Sequence, residues 1–398
     1  MRRVLICTEA SFPRGGATAN YIEYLALALV SKGYCPIVIG QGSNYETDLC
    51  GDTYVYKNII YFNFPQPSEF SRFKIKRFID ANLYSGKQIV SILKKMMITS
   101  DDYIVFYSSN CFTINAVLKY TTKMSAMATM CITEHLRKSQ FENILMYWRY
   151  QYTFKHVIPK TKSVLPISRY LDSYYKEKGC RTLLLPIMAN PYEYSLDVFK
   201  NRKTVRFIYS GADFTKDSFL TMLKSFMLLT TEEKKQVEFH LTGVKREKLL
   251  KYLGHQSKVL EDLDQVLTIH PWLEYDKLVE LMKQMDYLFI AREINQTTIA
   301  NFPSKVPELM CYGVIPLVSH VGDYTDIYLT DGKDSLIFDG CTPEVGVNAL
   351  RRAMQLPQEL RTQMRMNARK TAEEKFYYGV WAEKISNFIE EGVKEVMG

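Results

Sequence analysis

Long apolar runs are missing from this sequence. None approaches the roughly 18 residues that a membrane-spanning helix requires, and after Met1-Arg2-Arg3 only Val4 to Cys7 is apolar before Thr8-Glu9 interrupts. A cytoplasmic location is therefore expected. Cysteine never clusters: Cys7, Cys35, Cys50, Cys111, Cys131, Cys180, Cys311 and Cys341 stay at least 15 positions apart, which excludes a zinc ribbon and a dense disulfide frame. The six histidines offer no H-x-x-x-H or other metal-ligand spacing, so no metal site is expected. Neither G-x-G-x-x-G nor the phosphate-loop G-K-[ST] occurs, which argues against a nicotinamide or flavin oxidoreductase and a P-loop nucleotidase. Zinc-finger, RNP and helix-turn-helix signatures are also lacking, so nucleic acid is not an expected partner.

What is present suits a globular protein. A chain of 398 residues, 47 % hydrophobic and 24 % charged, has room for two large domains. Residues 1–195 carry 24 basic and 14 acidic side chains, whereas the remainder carries 27 and 29. A basic first half facing a nearly neutral second half points to an anionic partner for the first. The densest basic stretch, residues 71–97, interleaves Arg72, Lys74, Lys76, Arg77, Lys87, Lys94 and Lys95 with apolar residues at helical spacing. Such a helix could lie on an anionic membrane surface. A core helix with a solvated basic face fits the same pattern.

Short apolar runs alternate with amphipathic stretches throughout. Val4–Thr8, Pro36–Ile39, Ile59–Phe64, Tyr103–Tyr107, Ala128–Thr133, Val164–Ile167 and Leu183–Ile187 read as strands. After the proline-containing segment at 190–203, expected as a linker, come Val205–Tyr209, Val237–Leu241, Val266–Ile269, Tyr287–Ile290, Ile315–Val318 and Ser335–Phe338. Near-continuous apolar strands separated by helices indicate an α/β chain with two Rossmann-like, doubly wound parallel-sheet domains. Ligands of such sheets bind at the carboxyl ends of the strands, here expected in an interdomain cleft. The expected boundaries are 1–195, 196–376 and a terminal helix, 377–398, returning across the linker.

Two segments carry chemistry. The first strand leads into Gly15-Gly16 at a helix entrance, where backbone N–H groups could approach an anion, although a tight turn without a ligand would look the same. The more specific segment runs from Asn301 to Val318. Ser304 is an N-cap candidate, the backbone near Lys305 and Val306 with the lysine ammonium suits an anion, and Glu308 suits a vicinal diol. An anion and a diol together describe the diphosphate and ribose of a nucleotide.

The run Pro-Ser-Lys-Val-Pro-Glu-Leu-Met-Cys-Tyr-Gly-Val-Ile-Pro-Leu-Val, residues 303–318, resembles the donor-binding segment of glycosyltransferase family 4, in which a helix led by glutamate holds the ribose of a nucleotide sugar. Gly15-Gly16 resembles that family's amino-terminal glycine loop. Ile167-Ser168 is similar to its pre-linker strand, Tyr209-Ser210-Gly211 with Lys216 to its phosphate-binding loop, and Val321-Gly322-Asp323 through Asp331-Gly332 to its late glycine region. The sequence departs from the pattern at Ala300, where a first glutamate usually stands, and at Ala212, where an arginine often does.

The resemblance implies a GT-B fold and a retaining transfer of a sugar from a nucleoside diphosphate sugar to an acceptor hydroxyl, in cell-surface polysaccharide or glycolipid synthesis. It implies no required cofactor, and a glycan or lipid-linked acceptor at the inner face of a membrane. Lys216, Lys305, Arg292 and the amide of Gly16 become the groups expected to stabilise the departing diphosphate. Glu134 and His135, which follow a strand, are expected near the transferred sugar or acceptor, with a solvated loop as the alternative. The two departures leave open a second reading, a nucleotide-sugar-binding scaffold without catalysis. His270, Trp272 and His320 are expected to be structural.

Overall fold

The computed structural model describes all residues except 1, 15, 43–48, 51–52, 67–73, 194, 197–201, 212–213, 215 and 398. Gly15, Ala212 and the first part of the basic stretch, residues 71–73, thus lie outside the described residues. The chain forms two compact units, Met1–Met188 with Tyr378–Gly398, and Ala189–Tyr377. The division falls before the expected position 195 because Ala189 already belongs to the second unit, its N–H donating to the Phe376 carbonyl at 2.8 Å.

The first unit holds a sheet of strands β1 (Arg3–Thr8), β2 (Cys35–Gln41), β3 (Leu49–Cys50), β4 (Thr53–Tyr56), β5 (Ile59–Phe64), β6 (Tyr103–Tyr107), β7 (Met127–Ile132), β8 (Ser163–Pro166) and β9 (Arg181–Thr182). Their spatial order is β3-β4-β5-β2-β1-β6-β7-β8-β9, parallel except where β4 pairs antiparallel with β3 and β5. That hairpin was not expected from the sequence; Lys57 and Asn58, with φ of 47° and 64°, make the two-residue turn that joins β4 to β5. Helices α1 (Ala17–Val30), α2 (Lys74–Lys95), α3 (Cys111–Lys123) and α4 (Ile144–Tyr152) follow β1, β5, β6 and β7.

Central strand β1 is buried along Val4–Thr8, consistent with a parallel strand covered on both faces. The terminal helix, Tyr378–Met397, closes this same core. Its Ile385, Phe388 and Ile389 are buried with Leu25 and Leu29 of α1, while Glu390 accepts from the Tyr34 hydroxyl at 2.7 Å. Ile385→Ala is expected to lower unfolding stability by roughly 2–5 kcal/mol, read from a denaturant midpoint. A change below about 1 kcal/mol would show that the helix does not contribute to this core.

The second unit holds β10 (Val205–Ser210), β11 (Val237–Thr242), β12 (Leu267–His270), β13 (Tyr287–Ile290), β14 (Ile315–Ser319) and β15 (Leu336–Phe338). Their order is β12-β11-β10-β13-β14-β15, all parallel. The order reverses direction from β10, first outward to β12 and then back through β13. Open sheets bind ligands beyond the carboxyl ends of strands at such a switch point. Gly211 and Arg292 sit just past the ends of β10 and β13.

Candidate functional site

In the second unit the sequence-nominated cations meet around a carboxylate that the sequence did not single out. Asp217, in the turn after β10, is buried with 1 % side-chain exposure. It accepts from Arg292 Nε at 2.5 Å, from Lys305 Nζ at 3.0 Å and from the Tyr209 hydroxyl at 2.7 Å. Burial alone would raise this carboxyl, but the Arg292 and Lys305 cations outweigh it and hold the group well below the usual carboxylate range. Two cations facing one anion leave a net positive charge.

Arg292 is the less accessible of the two cations. Its guanidinium is buried, spans from Asp217 to Asn301 Oδ1 at 3.0 Å, and its backbone N–H donates to Ser319 Oγ at 2.8 Å. Lys305 keeps 17 % side-chain exposure, and its ammonium lies 4.3 Å from the centre of the Tyr209 ring. Gly211 adopts φ +97°, a conformation that other residues rarely take, and a Cβ there would lie 3.5 Å from Lys305 Cε. The glycine thus shapes the turn against which the lysine stem rests. Lys216 stands next to Asp217 in the same turn and is partly buried.

The helix bearing Lys305 runs only from Lys305 to Met310, with Pro307 in its first turn, where proline is tolerated. Ser304 occupies the N-cap position in a helical conformation, and its side chain makes no capping hydrogen bond, contrary to the expected cap. The Val306 N–H already donates to the Pro303 carbonyl at 3.0 Å. The charged group of this turn is therefore the Lys305 ammonium, and Val306 does not supply the amide expected of it. Glu308, one turn along, keeps partial solvent contact. Its largely apolar surroundings push the carboxyl up to about 7, against the weaker opposing pull of Lys305. Ala300, at the end of the helix Gln296–Ala300, is buried.

In the first unit, Gly16 caps α1 with φ +75° and its carbonyl accepts from the Asn20 N–H at 3.1 Å. Glu134 and His135 follow β7, as expected. His135 is buried rather than part of a solvated loop, because residues well downstream enclose it: its ring lies 4.2 Å from that of Phe154 at an interplanar angle of 8°. Burial, reinforced by Lys155, lowers the imidazole to about 4, so the ring is neutral at pH 7. Gln151 Nε2 approaches His135 Nε2 at 3.4 Å. With the amide as donor, Nε2 accepts and the ring proton resides on Nδ1, which has no hydrogen-bond partner among the described residues.

His270 forms a hydrogen-bonded pair with His240, Nε2 to Nδ1 3.0 Å, and His320 lies between Asp326 and Asp339 at 3.0 and 3.1 Å. Trp272, expected to be structural, is 84 % exposed. Among the described residues, no group of three histidine, cysteine or carboxylate side chains could hold a metal ion.

Residues 195–371 match the family model for glycosyl transferases group 1. No curated protein sequence matches the chain. Solved structures match over nearly its whole length. A glycosyltransferase from Rickettsia africae ESF-5 is 13 % identical with a TM-score of 0.67, covering 99 % of both chains. Sucrose-phosphate synthase from Thermosynechococcus elongatus is 10 % identical with a TM-score of 0.74, over 98 % of this chain and 99 % of its own. Anabaena Alr3699/HepE, in complex with UDP-glucose, is 12 % identical with a TM-score of 0.69, over 98 % and 100 %. The shared fold is GT-B.

Proposed function

We propose that the protein, which has the GT-B fold and whose residues 195–371 match the group 1 glycosyl transferase model, moves a sugar from a nucleoside diphosphate sugar to an acceptor hydroxyl with retention at the anomeric carbon. Its product is a cell-surface polysaccharide or glycolipid. The observation that carries this reading is the Lys305–Asp217–Arg292 ion triad at the carboxyl ends of β10 and β13, with Glu308 one helical turn from Lys305. Breaking the bond between the anomeric carbon and the diphosphate puts negative charge on the departing oxygen, and a cation fixed beforehand stabilises that charge without reorganising. Lys305, exposed on one side and held by Asp217 on the other, fits that role, with Lys216 of the same turn assisting.

Arg292 acts differently in this reading: buried against Asp217 and Asn301, it is a positioning residue that fixes the carboxylate. Glu308 receives the ribose diol. Glu134 and His135, which follow β7 in the first unit, are assigned to the acceptor in this reading. Uridine is the first base to test, because the Anabaena structure holds UDP-glucose. The reaction as drawn uses no cofactor beyond the donor.

The elevated Glu308 value gives the donor site a pH signature. In the free protein the carboxyl holds its proton from the ordinary 4.5 up to about 7, so its ionisation opposes folding as the pH climbs through that window. A diol donates to the ionised form more strongly. Calorimetric affinity for UDP-glucose is therefore expected to rise about tenfold from about pH 6 to about pH 8. Glu308→Gln should flatten the profile; an unchanged pH dependence in that variant would assign the titration to another group. Transfer to a lipid-linked acceptor, followed by analysis of the product's anomeric configuration, tests retention directly, and an inverted product would refute it.

A further inference from the structure

Within the described part of the basic stretch, Ile89 and Leu93 turn inward, whereas Ile79 and Met97 are 47 and 77 % exposed. Helix α2 buries Ser85, Gly86, Ile89 and Leu93, while Lys76, Lys87, Lys94 and Lys95 remain exposed. Gly86 lies directly against α3, where a Cβ would come within 3.2 Å of Ala116. A denser set of exposed apolar side chains lies on α4. Along this nine-residue helix Ile144, Leu145, Met146, Trp148 and Tyr152 are 42, 76, 38, 62 and 51 % exposed. Leu145, Trp148 and Tyr152 follow spacings of three and four, so they share one face. The opposite side seats the helix: Gln151 is buried, and the Tyr150 hydroxyl bonds both the Leu136 N–H and the Glu134 carbonyl.

From this arrangement we infer that α4 is a membrane-docking helix, lying in the plane of an anionic lipid surface with Leu145, Trp148 and Tyr152 inserted at headgroup level. Its length, about 13 Å, suits lying on a bilayer and not spanning one. Tryptophan and tyrosine, each with an apolar body and a polar edge, suit the interface. Charge selects the partner. Residues 137–162 contain six basic side chains and one acidic one, and exposed Lys138 and Lys155 flank α4 at either end. Arg149 on the helix hydrogen-bonds the Asn82 side chain, tying α4 to lysine-rich α2. Two neighbouring helices thus divide the work: α4 supplies insertion and α2 supplies attraction to anionic headgroups.

The inference deepens the proposed reaction and rests on that reading for its purpose, delivery to a lipid-linked acceptor. It can fail separately, because vesicle binding and sugar transfer are independent readouts. The test is sedimentation of the full chain with vesicles of phosphatidylcholine alone and of phosphatidylcholine mixed with phosphatidylglycerol, alongside tryptophan fluorescence. Binding confined to the anionic vesicles, weakened by salt and accompanied by a blue shift, is expected. The double variant Leu145→Ser/Trp148→Ser should reduce that binding at least about tenfold while keeping its calorimetric response to UDP-glucose. No binding to anionic vesicles, or binding that the double variant leaves intact, would overturn the inference. So would a variant that keeps vesicle binding but dissociates a dimer, which would identify the face as an interface between copies of the chain.

Discussion

Replacing Asp217 with alanine is expected to destabilise the protein by roughly 3–5 kcal/mol, the usual consequence of removing one member of a buried ion pair. The carboxylate contributes little as an isolated attraction, since its own burial is costly. Its loss matters because Arg292 would remain as an uncompensated cation with 3 % side-chain exposure, and the buried Tyr209 hydroxyl would lose its acceptor. Asp217 is held below the ordinary 3.8, so its ionised form stabilises the native state above that pH, and the stabilisation is lost only as the pH falls through the depressed value. Denaturant unfolding at neutral pH measures the effect. Asp217→Asn, which keeps an acceptor oxygen, should cost less than Asp217→Ala, and transfer should fall in both because Lys305 loses its anchor. An alanine variant within about 1 kcal/mol of the parent would mean that the triad is not the structural centre of the turn.

Glu308→Ala should separate binding from stability in the opposite sense. A charge-assisted hydrogen bond is worth about 1.5–3 kcal/mol, so donor affinity should fall by roughly ten- to a hundredfold. The efficiency of transfer should fall at least as far. The folded protein should be no less stable near neutral pH, because the carboxyl that is removed is one whose ionisation burial already disfavours. Calorimetry with UDP-glucose and a denaturant midpoint on the same preparation provide the two numbers. Normal affinity in this variant would remove Glu308 from the site; lost affinity together with a large loss of stability would make it a structural residue.

The sequence reveals those features whose causes are local. The strands of both sheets are legible because parallel strands covered on both faces need nearly continuous apolar runs, as in Val4–Thr8 and Ile315–Ser319. Lys305 and Glu308 are legible because they share one short helix. Asp217 is not, since a lone aspartate in a turn gains its meaning only when Arg292, distant in sequence, reaches it. The same holds for His135, whose burial depends on Phe154 and its aromatic neighbours. Helical spacing in residues 89–97 establishes an apolar side for α2 but cannot say whether that side meets lipid or α3. The sequence also cannot show that the N–H of Val306 is already committed to Pro303, because that depends on the turn entering the helix.

Diffraction from crystals of the full chain with bound UDP-glucose addresses the central claim most directly. The account predicts the ribose hydroxyls against Glu308 and the pyrophosphate against the Lys305 ammonium, with Arg292 still behind Asp217. A nucleotide bound away from the Lys305–Met310 helix, or one whose ribose does not touch Glu308, would contradict it.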